Sequence, residues 1–463
     1  MPLIDDIVAM KEEMTTWRHG IHANPELGFK EDQTADFIAA KLEEFGLQVY
    51  RGIGKTGLVG VLKIGNDTTA VGLRADMDAL PIVERNSFDH RSTNQGVMHA
   101  CGHDGHSTML LGAAKYLSTT RNFKGQVNFI FQPAEEGIGG ARAMIADGLF
   151  EQFPCDSIYA MHNAPGAPIG TFDATAGTRT AAGAFFDIDI KGRGAHGAHP
   201  QNAVDPVVIA GEMITAMQTI VARNLLPSAT AVVSITQMHA GDAYNVIPET
   251  ARLSGTVRTF SMEIMKQIEQ RMETLAKGIA AGHGAEAALD FRIIFHPVVN
   301  AAAPAALAAE VCDELVGADQ VRRDTPPGTG SEDFSFMAEE VPGCYIRLGN
   351  GADSTTDNAN GADGSSGTSR GADAARPQPR DETRGTDGSR REPAVVFVLD
   401  ADGQFHAREI VTGVRDWETS EVLGGLEEGE ELVLLPSTSL LRSQQSMRDR
   451  FARRNTVVPT VGR

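Results

Sequence analysis

Met98-His99-Ala100-Cys101-Gly102-His103-Asp104-Gly105-His106 places a thiol, three imidazoles and a carboxylate within nine residues, just ahead of a helical pattern over about 107–117. Soft thiolate beside imidazole and carboxylate is the composition of a site for zinc or a neighbouring divalent transition ion. Strand-like runs lie on either side, at 57–63, 70–74, 127–131 and 157–161, with a further helix near 141–147. This alternation predicts an α/β fold, a mixed or parallel sheet covered by helices. The chemistry-bearing runs all fall just after strands, where open α/β sheets place their ligands.

Further outward, apolar spacing predicts helices over 3–17 and 34–45, with Gly46 as a stop. A second unit begins near 184: a strand at 185–191, a helix at 205–222, strands at 229–238 and 250–259, a helix at 262–281 and a strand at 287–295. That β-α-β-β-α-β order is the ferredoxin-like α+β arrangement. Helix-and-loop pattern returns over 302–351. The expected layout is a discontinuous catalytic domain over 1–182 and 297–351, interrupted by an inserted domain over 183–296. Residues 352–393 are Gly, Ala, Asp, Ser, Thr and Arg with hardly a large aliphatic, and are expected to be a disordered linker. Strand signals at 394–399, 409–412, 421–422 and 431–435 predict a small β module over 394–463.

The chain has 463 residues, more than one hydrophobic core sustains, which agrees with several domains. A formal net charge of -20 opposes nucleic acid or an anionic membrane as main partner. No apolar run approaches membrane-spanning length, and acidic residues at 5, 6, 12 and 13 do not fit a secretory leader. Four scattered cysteines make no disulfide framework, so a cytoplasmic setting is expected.

Two more pieces extend the metal reading: the paired acids of Gln132-Pro133-Ala134-Glu135-Glu136-Gly137, and His162 within Met161-His162-Asn163. Adjacent acids on an extended loop point apart, so one can bind metal while the other faces substrate. The pair could instead be solvated acids at a helix start, where the dipole favours them. A lone cysteine is more often a buried apolar thiol, but the neighbours of Cys101 reverse that balance.

With Arg74-Ala75-Asp76-Met77-Asp78-Ala79-Leu80, Gly192-Arg193-Gly194-Ala195-His196 and Gly330-Ser331-Glu332-Asp333-Phe334 added, five motifs stand in order. Over about residues 10–351 the chain closely resembles the hippurate hydrolase-like N-acyl-amino-acid amidohydrolases, relatives of aminoacylases and zinc carboxypeptidases. The resemblance implies hydrolysis of N-acyl amino acids with two divalent ions, zinc or manganese, cobalt or nickel. Cys101 would bridge them, and His103, Glu136 and His162 would supply most other ligands. Glu135 would be the general base, and Asp78 would orient a ligand histidine from behind. His196 would reach the scissile carbonyl, contributed across a homodimer formed by the inserted lid domain. Asn245 and Arg258 would hold a substrate carboxylate, with a surface salt bridge as the near-even alternative for Arg258.

Asp76, His99 and His106 stay outside this ligand set. After Gly351 the family continues into a ligand histidine and a closing helix, and neither is found, so the second metal site is expected to be weakened. Alternatives are a dipeptidase or carboxypeptidase of the same superfamily, or a catalytically impaired metal-binding or interaction protein. The terminal module resembles the end of an efflux-pump periplasmic adaptor, which suggests a chimeric or frameshifted reading frame; a lineage-specific β module for contacts is the other reading.

Overall fold

The computed structural model describes residues 5–351 and, beyond them, strands at 392–399, 405–415, 420–424 and 432–433. These belong to two compact units, each taken by itself. The first opens with helices α1 (Asp5–Ala9), α2 (Lys11–Ala23) and α3 (Asp32–Glu44). The single helix expected over 3–17 is divided at Met10, and its second part runs six residues beyond Trp17. His22, which breaks the apolar pattern, is buried there with Nδ1 2.9 Å from Asp104 and Nε2 3.0 Å from Glu84.

Strands β1 (Gln48–Ile53), β2 (Gly57–Ile64), β3 (Ala70–Asp76), β4 (Gly125–Gln132), β5 (Ser157–Ala164) and β6 (Phe172–Asp173) form a mixed sheet with the later β15 (Val321–Arg322) and β16 (Gly343–Gly349). The order is β1-β2-β4-β3-β5-β16-β6-β15. β3 runs parallel to β4 and β5, and β5 parallel to β16, so their carboxyl ends open on the same edge. Alternation along β4 divides two cores. Phe129 and Phe131 join Ile38, Leu42 and Leu111 under α2, α3 and α4 (His103–Thr120). Ile130, between them, joins Ile158, Phe334 and Met337 under α5 (Gly140–Ala146), α6 (Leu149–Gln152) and α10 (Phe334–Glu340). Each fully buried phenylalanine contributes roughly 1.5–3 kcal/mol of burial free energy.

The face over β5 is less complete. Ile158 and Ala160 point into the core just described, but Tyr159 and Met161 line an apolar groove of about 520 Å³ between α4 and α9 (Ala302–Val316). On α9, Leu307 and Val311 stand half exposed, 52% and 50%. An open apolar patch binds reporter dyes and promotes association. The double variant Leu307→Glu/Val311→Lys, which adds a favourable i,i+4 pair, is expected to reduce anilinonaphthalene sulfonate fluorescence clearly with little change in Tm. Equal fluorescence in variant and parent would mean that the groove is not open in solution.

β7 (Gly177–Thr178) pairs with β14 (Val299–Asn300) where the chain enters and leaves the inserted unit. That unit holds β8 (Ala182–Lys191), α7 (Pro206–Thr219), β10 (Ala231–Ala240), β12 (Thr250–Thr259), α8 (Met262–Gly282) and β13 (Glu286–Phe295). Its antiparallel sheet has the order β10-β12-β8-β13, the ferredoxin-like pattern expected from the sequence. Asp205 caps α7 by accepting from the Val207 N–H, with Pro206 opening the helix. Phe186, Ile188, Leu253, Met213 and Met272 make a core of its own. A short ribbon pairs β9 (Ala195–His196) with β11 (Val246–Ile247).

The second unit contains an antiparallel sheet of β17 (Glu392–Leu399), β18 (Phe405–Arg415), β19 (Ser420–Gly424) and β20 (Leu432–Val433) in the order β19-β18-β17-β20. Nearly all of the expected linker, and the polar tail after 433, lie outside the described residues. No helix among the described residues is long and apolar enough to cross a membrane.

Candidate active site

Four segments meet beyond the carboxyl ends of β3, β4 and β5. After β3, Asp78 accepts from His103 Nδ1 through its carbonyl (2.8 Å), and its Oδ1 lies 3.2 Å from the same nitrogen. His103 stands on the first turn of α4, which begins four residues earlier than its apolar spacing indicates. Gly102 makes that start possible. It has φ +101°, and a Cβ there would come within 2.5 Å of the Asn163 side-chain oxygen. With Nδ1 committed to Asp78, His103 presents its buried Nε2 toward Cys101 and Glu136. Glu136 Oε1, itself buried, lies 3.9 Å away.

His162, on β5, donates through Nδ1 to the Asn163 carbonyl (2.7 Å) and turns Nε2 to within 3.4 Å of Cys101 Sγ. Donor atoms of Cys101, His103 and His162 lie within 4.8 Å of one another, as do those of His103, Glu135 and Glu136. Burial pushes the Cys101 thiol up to about 11 and His162 down to about 3. Burial therefore favours the neutral thiol, and a dication is the kind of group that would deprotonate it. A sulfur with two imidazole nitrogens in one group, and His103 again with two carboxylates in the next, fit divalent metal.

The loop after β4 is not extended. Ala134 sits at φ +50°, a left-handed conformation that strains a residue with a Cβ by about 1–2 kcal/mol. Its carbonyl accepts from Gly140 N–H (3.0 Å), and a Cβ on Gly140 would strike the Pro133 carbonyl oxygen at 1.6 Å. This turn separates the two acids. Glu136 donates its N–H to Asp78 Oδ2 (3.0 Å), while buried Glu135 accepts from Asp333 N–H (3.3 Å). Burial, then the neighbouring Glu332 and Asp333, hold the Glu135 carboxyl well above the usual range. The solvated-pair alternative is thereby corrected, since Glu135 is only 6% exposed.

Around these residues lies a buried polar network of Arg74, Asp76, Gln132, Glu332 and Asp333, whose roles motif spacing alone does not reveal. Arg74 donates to Gln132 (2.8 Å), Asp76 (2.8 Å), Glu332 (2.9 Å) and Asp333 (3.2 Å). Asp76 also binds His106 Nδ1 (2.7 Å), whose Nε2 lies 2.7 Å from Asn163. Asp76 and His106 thus already have close partners, although both lie near His103. His99 is buried, with neither ring nitrogen hydrogen-bonded, and burial lowers it to about 4.

A cleft of about 320 Å³ opens onto the site, with Cys101, Glu135, Glu136 and His162 on one side and Phe185, Phe295 and Arg258 of the inserted unit on the other. Arg258 donates to Thr256 and to the Val257 carbonyl, and its guanidinium lies 5.9 Å from the Phe185 ring centre. No carboxylate is among its hydrogen-bond partners in the described residues, and burial lowers its pKa. The other two sequence-predicted residues are not gathered here. His196 and Asn245 are exposed, joined through a Gly197 N–H bond to the Asn245 carbonyl (2.7 Å), and neither lines the cleft.

Comparison with known proteins places this geometry. The family model described as peptidase family M20/M25/M40 matches residues 72–364. Hippurate hydrolase of Campylobacter jejuni is 44% identical over 359 residues, covering 78% of this chain and 94% of that protein. An N-acyl-L-amino acid amidohydrolase of Geobacillus stearothermophilus is 40% identical, covering 64% and 80%. Among solved structures, a dinuclear metal-binding M20 peptidase of Bacillus subtilis superimposes with a TM-score of 0.63 at 35% identity, covering 74% and 89%. These comparisons lend no support to an efflux-adaptor origin for the terminal module.

Proposed function

The chain belongs to peptidase family M20/M25/M40, and from this premise we propose that it cleaves the amide of hippurate-like N-acyl amino acids, releasing a carboxylic acid and a free amino acid. Metal-dependent amide hydrolysis is the activity of the molecule. The substrate assignment rests chiefly on one observation: a half-buried arginine with no carboxylate partner among the described residues, Arg258, lines the same small-molecule-sized cleft as the donor cluster. A bidentate guanidinium suits the carboxylate of the amino-acid half.

In this reading Cys101, His103, Glu136 and His162 hold divalent metal, zinc being the best match to a thiolate and imidazole set, with manganese, cobalt or nickel as substitutes. Bound divalent metal acidifies water and polarises the scissile carbonyl. Asp78 fixes His103 through Nδ1 so that Nε2 faces inward. Glu135 takes the proton of the attacking water and passes it to the departing nitrogen. These side chains would supply the donors for divalent metal, and a second ion would be held more weakly than the first. The exposure of His196 and Asn245 supports their delivery to the cleft of a second subunit in a homodimer, where His196 donates to the carbonyl oxygen as it gains charge.

Benzoylglycine is the substrate to test. Glycine release is expected to stop on treatment with a chelator and to return with added zinc, manganese or cobalt. Absence of release under every metal would overturn the assignment.

A further inference from the structure

Glu31 is fully buried at the start of α3, far in sequence from the acid pair, and no cation neutralises it among the described residues. Its Oε1 accepts from the Ala134 N–H at 2.8 Å, and its Oε2 accepts from the Thr56 hydroxyl at 2.6 Å. A buried carboxyl without a cation is costly, so a side chain that only filled space there would be better apolar. What the position supplies is an acceptor, aimed at the one residue of the loop with strained backbone, Ala134 at φ +50°. The same residue is held from its other end by Gly140, and the next two residues are Glu135 and Glu136. Glu136 is fixed in turn by its N–H bond to Asp78, and Glu135 by its bond from Asp333.

We propose that Glu31 is a positioning residue for the reaction: by holding the Ala134 N–H it keeps the loop in the left-handed turn that sends Glu136 toward the metal donors and Glu135 toward the substrate. The inference rests on the amidohydrolase reading of the site. It concerns how two adjacent acids come to face different ways, which neither carboxylate's own chemistry explains.

The full-length protein tests this in four forms: parent, Glu31→Ala, Glu31→Gln and Glu31→Ala/Ala134→Gly. The readouts are cobalt(II) affinity and visible absorption, kcat and KM for benzoylglycine, and Tm. Glu31→Ala is expected to lower kcat and cobalt affinity by roughly 10- to 100-fold, the usual range for groups that support ligands, with KM little changed. Glu31→Gln, whose amide oxygen still accepts from Ala134, should stay close to the parent. Glycine at 134 adopts the positive φ without strain, so the double variant should regain the cobalt spectrum and most of kcat. A parental cobalt spectrum and kcat in Glu31→Ala, or no recovery in the double variant, would overturn the proposal.

If Glu31→Ala does not fold, Ala134→Val keeps Glu31 but opposes the positive φ, and it should lose the cobalt signature; an unchanged spectrum there overturns the proposal equally. A parent that binds cobalt but releases no glycine would defeat the substrate reading. The spectra of the variants would still decide the role of Glu31.

Discussion

Glutamine in place of Glu135 is expected to lower kcat for benzoylglycine by roughly 10²–10⁴-fold, the range supplied by a positioned proton acceptor, while metal content and Tm stay at parental values. The substitution keeps shape and the oxygen that accepts from Asp333 N–H, so the loop need not move. It removes only the ability to take a proton. Glu135 is well suited to that job because burial and two neighbouring carboxylates hold its affinity for a proton above that of an ordinary glutamate. A Glu135→Gln protein with parental kcat would exclude this residue as the base. Lost metal in the same variant would instead place Glu135 among the ligands.

The second large effect concerns stability. Arg74→Met is expected to destabilise the first unit by about 3–5 kcal/mol at neutral pH, the cost of leaving buried charges without their partner. The guanidinium is 2% exposed and meets Asp76, Glu332 and Asp333 at once, with Gln132 on its fourth side. Lysine cannot reproduce that planar fork, so Arg74→Lys should recover only part of the loss. The sign of the pH dependence follows from Asp333. Burial, against the pull of Arg74 and with the push of Glu332, raises its carboxyl above the ordinary range. A folded-state pKa raised above the unfolded value favours the fold when protonated, and this contribution is lost as pH rises through the folded value. Without Arg74 this carboxyl is held higher still, so Asp333 is protonated in both folded proteins below about 8, and its part of the deficit should open only as pH rises through and above that value. Urea unfolding of both proteins across that range measures it, and a pH-independent difference would rule out the electrostatic account.

Much of this architecture could be read from the sequence where a segment's neighbours in the fold are also its neighbours in pattern. The strand over Thr250–Thr259 is legible to its observed limits because apolar alternation and turn residues agree there. β1 gives no clear pattern because it is an edge strand, mostly exposed, with a register shift between Arg51 and Ile53. The ligand candidates clustered near Cys101 were legible from residue type and spacing. Arg74 and Glu31 were not, since their importance comes from partners 258 and 103 residues away and from a backbone angle at Ala134. The placement of His196 outside the cleft depends on how the short β9–β11 ribbon sits on the inserted unit, which no local pattern encodes.

The bond from Arg74 to Glu332 joins residues 258 apart in the chain. During synthesis, the guanidinium emerges long before the carboxylates that will neutralise it, with the whole inserted unit made in between. Closure of the pocket is therefore a late event, completed only once the distant acidic turn arrives, and pairings so remote in the chain are slow to form. Until then the nascent protein holds an incomplete pocket.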